Sequence, residues 1–220
     1  LSDDFGARTG RRTTTSLALA CVVVWLVASA SAGALGIWLA LGGASVALGV
    51  SVFVLDRAAA LRLIRPSARL VLVGAAAGLS MAAATYLLYP VLARVLPFIR
   101  TDMASLYASF RELPRVIAAL ALVPVILGEE VVWRGVVQTT CVRRLGPWRG
   151  VPVAALVYAL AHAPLGSPVL VVVALSCGMA WGALRAASAS LVPSLLAHLV
   201  WDILVLLWLP LDDYPTGCGL

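Results

Sequence analysis

Seven side chains in the last half of this sequence have types and spacings that suit chemistry. The stretch GEEVVWRG, residues 128–135, puts Glu129, Glu130 and Arg134 inside an apolar run spanning residues 116–140. A carboxylate near a bilayer centre costs about 2.5–3.5 kcal/mol on insertion scales, so two in a row call for a reason. His162 and His198, the only histidines of the chain, also fall in apolar runs, as does Asp202. Three pairs stand four residues apart: Glu130 with Arg134, Tyr158 with His162, and His198 with Asp202. On a helix each pair shares a face and can touch.

The adjacent glutamates have different prospects, because neighbouring residues on a helix point about 100° apart. Glu130 faces Arg134 and is expected to anchor it. Glu129 is directed elsewhere, a turn from Trp133 and from no cation, which suits a general base. Beside an imidazole it can activate water for attack on a carbonyl. A second histidine, oriented by Asp202, can then face the developing oxyanion. This reading gives Glu129 and His162 the water, His198 and Asp202 the oxyanion, and Glu130 with Arg134 a supporting role.

Such a site needs helices that bring these groups to one depth. The chain has 220 residues, 62% of them hydrophobic and 12% charged. That composition indicates a polytopic membrane protein, an all-α helix bundle. About seven transmembrane helices are expected, at 15–33, 36–55, 70–90, 115–141, 151–163, 168–184 and 190–209. One amphipathic segment at 91–114 is expected to lie in the interface. Arg11-Arg12 followed by an apolar stretch and ASASA imitates a signal peptide, but apolar sequence continues to Leu55, so an uncleaved first span is preferred. Glu129 precedes Arg143 by 14 residues, while His162 and His198 follow Arg149 and Arg185 by 13 each. At about 1.5 Å per residue, all three sit roughly 20 Å from the same flank.

All 16 basic residues are arginine. The net charge of +6 raises nucleic acid as a partner, but the arginines flank apolar runs in small groups, and membrane orientation explains them more simply. With the N-terminus in the cytoplasm, eleven arginines fall inside and four outside, around residues 91–114. Cysteines 21, 141, 177 and 218 lack metal-type spacing and read as small core residues. The lysine-free, Ala- and Gly-rich composition suggests a bacterial source, hence an inner or plasma membrane.

EEVVWR resembles the EExxxR motif of the CPBP intramembrane proteases, the group with the type II CAAX prenyl proteases and the bacteriocin-processing and immunity proteins. VYALAH is similar to that family's second motif and HLVWD to its third. The resemblance covers roughly residues 115–209, and Trp133 and Tyr158 stand where the family usually has Phe. It implies a glutamate-dependent intramembrane endopeptidase acting on a membrane-associated peptide. In that picture Glu129 and His162 meet the attacking water and His198 with Asp202 the oxyanion, while Glu130 and Arg134 support them. Asp202 replaces the commoner Asn; an ionised Asp only accepts hydrogen bonds, which leaves His198 as the donor. The implied organisation is a tail at 1–14, helices at 15–114, a catalytic core at 115–211 and a tail at 212–220.

No cofactor is expected. Zinc is a weaker alternative, because no HExxH helix is present, the histidines lie on different spans, and Arg134 repels a divalent cation. Taken singly, the pairs also suit a packing ion pair, a helix cap and an interhelical hydrogen-bonding unit. Trp201 and Trp208 suit packing or the interface. Two other functions remain open: a small transporter with a proton relay, and a non-catalytic peptide-binding or immunity member of the same fold.

Overall fold

A computed structural model describes residues 11–213, with side chains from Thr14 onward, and the described residues are helical without strands. Residues 1–10 of the N-terminal tail, with Arg8, and 214–220 of the C-terminal tail, with Cys218, lie outside the described residues, and α1 takes up the last four positions of the expected tail at 1–14. Ten α-helices follow in order. They are α1 (Arg11–Leu35), α2 (Gly43–Leu55), α3 (Arg57–Leu63), α4 (Ala68–Val95), α5 (Phe98–Phe110), α6 (Arg115–Glu130), α7 (Gln138–Leu145), α8 (Pro147–Ala161), α9 (Pro168–Ser188) and α10 (Val192–Asp202). Three π-helical stretches extend them: Trp38–Gly42 leads into α2, Val131–Val137 joins α6 to α7, and Ile203–Trp208 continues α10.

Five of the expected spans coincide with helices long and apolar enough to cross a bilayer: Thr14–Leu35, Trp38–Leu55, Ala68–Val95, Arg115–Leu145 and Pro168–Ser188. Their outer faces carry exposed leucines such as Leu72, Leu87 and Leu120, each about two-thirds exposed or more. In water that surface would drive aggregation; in lipid it is the ordinary solvated face. The chain is an integral membrane protein.

The spans expected at 151–163 and 190–209 form shorter helices, α8 and Val192–Trp208. Helix α8 has 15 residues. At 1.5 Å per residue it reaches only about 22 Å, less than the roughly 30 Å hydrocarbon core. It stops at His162, where Pro164 and a left-handed Gly166 (φ +79°) turn the chain through a single 3₁₀ turn. A helix can end at that depth only where protein covers the freed backbone. Here Ser29 of α1 donates its hydroxyl to the Ala161 carbonyl at 2.8 Å.

Contacts sort the connections into two ends. At one, Arg144 donates to Thr15, and the Leu191 amide and Ser190 hydroxyl donate to the Leu63 carbonyl. At the other, the Trp38 indole donates to the Phe110 carbonyl, and Arg111 grips Asp212 through two bonds of 2.7 and 2.9 Å. The segment expected to be interfacial is divided between the last turn of α4 and helix α5. Its inward stripe, Ile99, Met103 and Tyr107, is buried. Asp102 ties α5 to the start of α9, accepting from the Ser167 hydroxyl at 2.7 Å and the Val169 amide at 3.0 Å.

Two of the helices that carry the seven polar groups, α10 and α6, are held close against their neighbours α4 and α2 at glycines. On α4, a Cβ at Gly74 or Gly78 would meet α10 at Pro193 or Val200, 2.8 Å away in each case. This small-xxx-small stripe lets two backbones touch, as expected where lipid supplies no hydrophobic drive between helices. Gly49 of α2 faces Gly128 of α6, one residue before Glu129, and a Cβ on Gly128 would run into the Ser45 carbonyl. Gly128→Ala is therefore expected to lower stability by about 1–3 kcal/mol, as overpacking does. Unfolding of purified protein in detergent would measure it, and a loss below a few tenths would mean that the α2–α6 crossing is slack.

Candidate active site

Glu129 and Glu130 are the last two residues of α6, immediately before the chain widens into the π-helix Val131–Val137. All seven residues of that stretch are buried, Arg134 among them. π-Helical turns are rare and concentrate at functional sites. This one offsets Arg134 from the register an α-helix would give it, yet its Nη1 remains 3.3 Å from Glu130 Oε1.

Glu130 is fully buried, and the same oxygen lies 3.0 Å from His198 Nδ1. A carboxylate accepts, so His198 donates from Nδ1. Asp202, one turn along α10, stands with Oδ2 at 3.6 Å from Nε2, so His198 gives its hydrogen bond to Glu130 and makes only an ion-pair contact with Asp202. Trp181 of α9 stacks on the His198 ring at 3.7 Å and 19°. The Arg134 guanidinium lies 4.5 Å from the Tyr158 ring centre and 5.1 Å from that of Trp181. Cation–π contact of this kind gains strength where water is excluded. Glu130 therefore joins α6, the π segment and α10 through one carboxylate, and Trp181 closes the arrangement from α9.

Glu129 is only partly buried, and its partner is a phenol: the Tyr158 hydroxyl donates to Oε2 at 3.1 Å. The opposite oxygen is left for another ligand. His162, at the end of α8, has both ring nitrogens occupied. Nδ1 lies 2.8 Å from the Tyr158 carbonyl, and Nε2 lies 3.3 Å from the indole nitrogen of Trp25 on α1. Glu129, Tyr158, His162, His198 and Asp202 line one cavity of about 460 Å³. Most of its wall is apolar, with Leu88 and Leu92 of α4 and Val172 of α9 among the residues that line it. Those three are also exposed on the outside of the bundle, so the cavity reaches the lipid-facing surface between α4 and α9, beneath α5.

Five of the seven side chains singled out in the sequence, Glu129, Tyr158, His162, His198 and Asp202, thus share a cavity; Glu130 and Arg134 sit behind it, joined to each other. Two tryptophans escaped sequence reasoning, Trp25 and Trp181. The only sign of Trp181 was an indole in the middle of an apolar span. Trp201 forms part of the cavity wall and donates to Thr85 at 3.0 Å, whereas Trp208 is half exposed. Cys21, Cys141 and Cys177 are free thiols. Among the described residues no group of three or more His, Cys, Asp or Glu side chains is set to hold a metal ion.

Tyr158→Phe isolates one hydrogen bond, since Phe preserves the ring under Arg134 and against Trp133. A hydrogen bond to a charged group is worth about 1.5–3 kcal/mol. Removing it from Glu129 is expected to lower kcat/KM by about tenfold or slightly more while leaving unfolding stability nearly unchanged. An unaltered kcat/KM would mean that the phenol does not position the carboxylate.

Residues 111–204 match the family model described as type II CAAX prenyl endopeptidase Rce1-like. Comparison with curated proteins and with solved structures gives no match. The matched stretch contains Glu129, Glu130, Arg134, His162, His198 and Asp202, so the family model covers all three motifs that resemble those of the CPBP/CAAX proteases.

Proposed function

We propose that the protein is a glutamate-dependent intramembrane endopeptidase that hydrolyses a membrane-associated peptide or protein terminus. The observation that carries this reading is the state of Glu129: a carboxylate open to a largely apolar cavity, held by a phenol and not neutralised by an adjacent cation. Glu130 is balanced by Arg134 and His198, so the pair divides the work between a base and an anchor.

In the reaction, Glu129 takes a proton from water as the oxygen attacks the scissile carbonyl. It then delivers that proton to the leaving amine. His198 donates from Nδ1 to Glu130, so it meets the oxyanion through Nε2–H; the reading takes its ring as the imidazolium, balanced by Glu130 and Asp202. Preorganised charge of this kind, in a site that excludes water, is commonly the largest part of catalysis. No metal is assigned a role. The lateral opening between α4 and α9 suits a substrate that arrives from the bilayer. The arginine distribution favours a cytoplasmic N-terminus, and the composition favours a bacterial inner or plasma membrane.

Comparing peptide termini in membranes from cells making the native protein and Glu129→Gln, at matched levels, tests this directly. A defined set of termini should vanish with the variant and thereby name the substrates. Identical profiles, with the variant still rescuing a deletion phenotype, would remove catalysis and leave a peptide-binding role.

A further inference from the structure

The two partners of His162 determine its protonation pattern. The Tyr158 carbonyl only accepts, so Nδ1 must carry a proton to bond it at 2.8 Å. The Trp25 indole N–H only donates, so Nε2 must present a lone pair to receive it at 3.3 Å. An imidazole that meets both conditions is neutral, protonated at Nδ1 and engaged at Nε2.

Trp25 is well placed to hold that state. It is fully buried and stands behind His162, outside the cavity wall. Its ring packs edge-on against Trp133 at 5.5 Å, and Ser29, one turn along α1, is bonded to Ala161 beside the histidine. Helix α1 lies outside residues 111–204, so this contact comes from a part of the chain that the family match does not cover.

We propose that Trp25 is a positioning residue of the site, contributed by α1, which fixes His162 as the neutral Nδ1–H tautomer and keeps its Nε2 from taking a proton. Glu129 is then the base on that side of the cavity without help from His162, and the histidine serves as a fixed wall beside the water. Only this catalytic consequence rests on the peptidase reading; the hydrogen-bonding claim does not.

The chain has just two imidazoles, so ¹⁵N-histidine labelling in lipid nanodiscs reads each of them. His162→Gln assigns the signals. The native protein should show His162 with a protonated Nδ1 and an unprotonated, hydrogen-bonded Nε2. In Trp25→Phe the Nε2 signal should move toward that of a free acceptor while the His198 signals stay in place. Loss of one neutral hydrogen bond behind the site should lower kcat/KM by about tenfold. Should Phe fail to fold, benzothienylalanine at position 25 replaces the N–H with sulfur at nearly unchanged shape, and the same shift is expected. A protonated Nε2 in the native protein, or a His162 spectrum unmoved by either replacement, overturns the proposal. The spectrum needs no turnover. Inactive protein with the expected spectrum would sink the peptidase reading alone, and active protein with an unmoved spectrum would sink this one alone.

Discussion

Glu129→Gln is expected to lower kcat for peptide cleavage by about three orders of magnitude, within the 10²–10⁴ range for loss of a general base. The figure corresponds to about 4 kcal/mol of transition-state stabilisation. Gln has the size and shape of Glu, and its carbonyl oxygen still accepts from the Tyr158 hydroxyl, so the cavity should keep its form. What disappears is the ability to hold a proton between attack and departure of the amine. Purified variant in detergent or nanodiscs should therefore unfold at the native midpoint and bind substrate with an unchanged KM. A variant that keeps more than a tenth of the native rate would transfer the base to another group, and a collapsed structure would make Glu129 an architectural residue.

Much of this site could be read from spacing because each pair is local. Glu130 and Arg134 lie one turn apart on one continuous helical segment, and so do His198 and Asp202. Helical periodicity makes such neighbours visible before any fold is known. Contacts between helices carried no such signature. Tyr158 reaches Glu129 across 29 residues of sequence, Glu130 reaches His198 across 68, and Trp25 reaches His162 across 137. Spacing therefore assigned Asp202 to His198, while the structure gives the hydrogen bond to Glu130 and leaves Asp202 at 3.6 Å. The same limit affected helix length. An apolar run shows what lipid or core will tolerate, whereas the early end of α8 is set by Pro164, by Gly166 and by the cover that α1 gives to Ala161. The π-helical stretch after Glu130 was equally hidden, because hydrophobicity does not distinguish it from an α-helix.

The second large effect is expected at Arg134, which is almost completely buried between Glu130 and the faces of Tyr158 and Trp181. Arg134→Met should cost about 3–5 kcal/mol of stability, because it leaves the His198 imidazolium alone to balance two buried carboxylates, Glu130 and Asp202. Replacing a whole buried ion pair is far milder than breaking it. The double variant Glu130→Gln/Arg134→Met should accordingly recover most of the loss, since Gln still offers an oxygen to His198 Nδ1–H and no bare charge remains. Its activity should not recover with it. Oxyanion stabilisation needs the imidazolium that Glu130 helps to balance, and a neutral amide supplies no such charge. Unfolding in denaturant and kcat/KM, measured on the native protein, Arg134→Met and the double variant, separate the two roles. Stability restored without activity would establish the Glu130–Arg134 pair as electrostatic support for His198. Stability and activity restored together would reduce it to a packing device, and stability that stays low in the double variant would place the loss in the aromatic contacts of Arg134 with Tyr158 and Trp181.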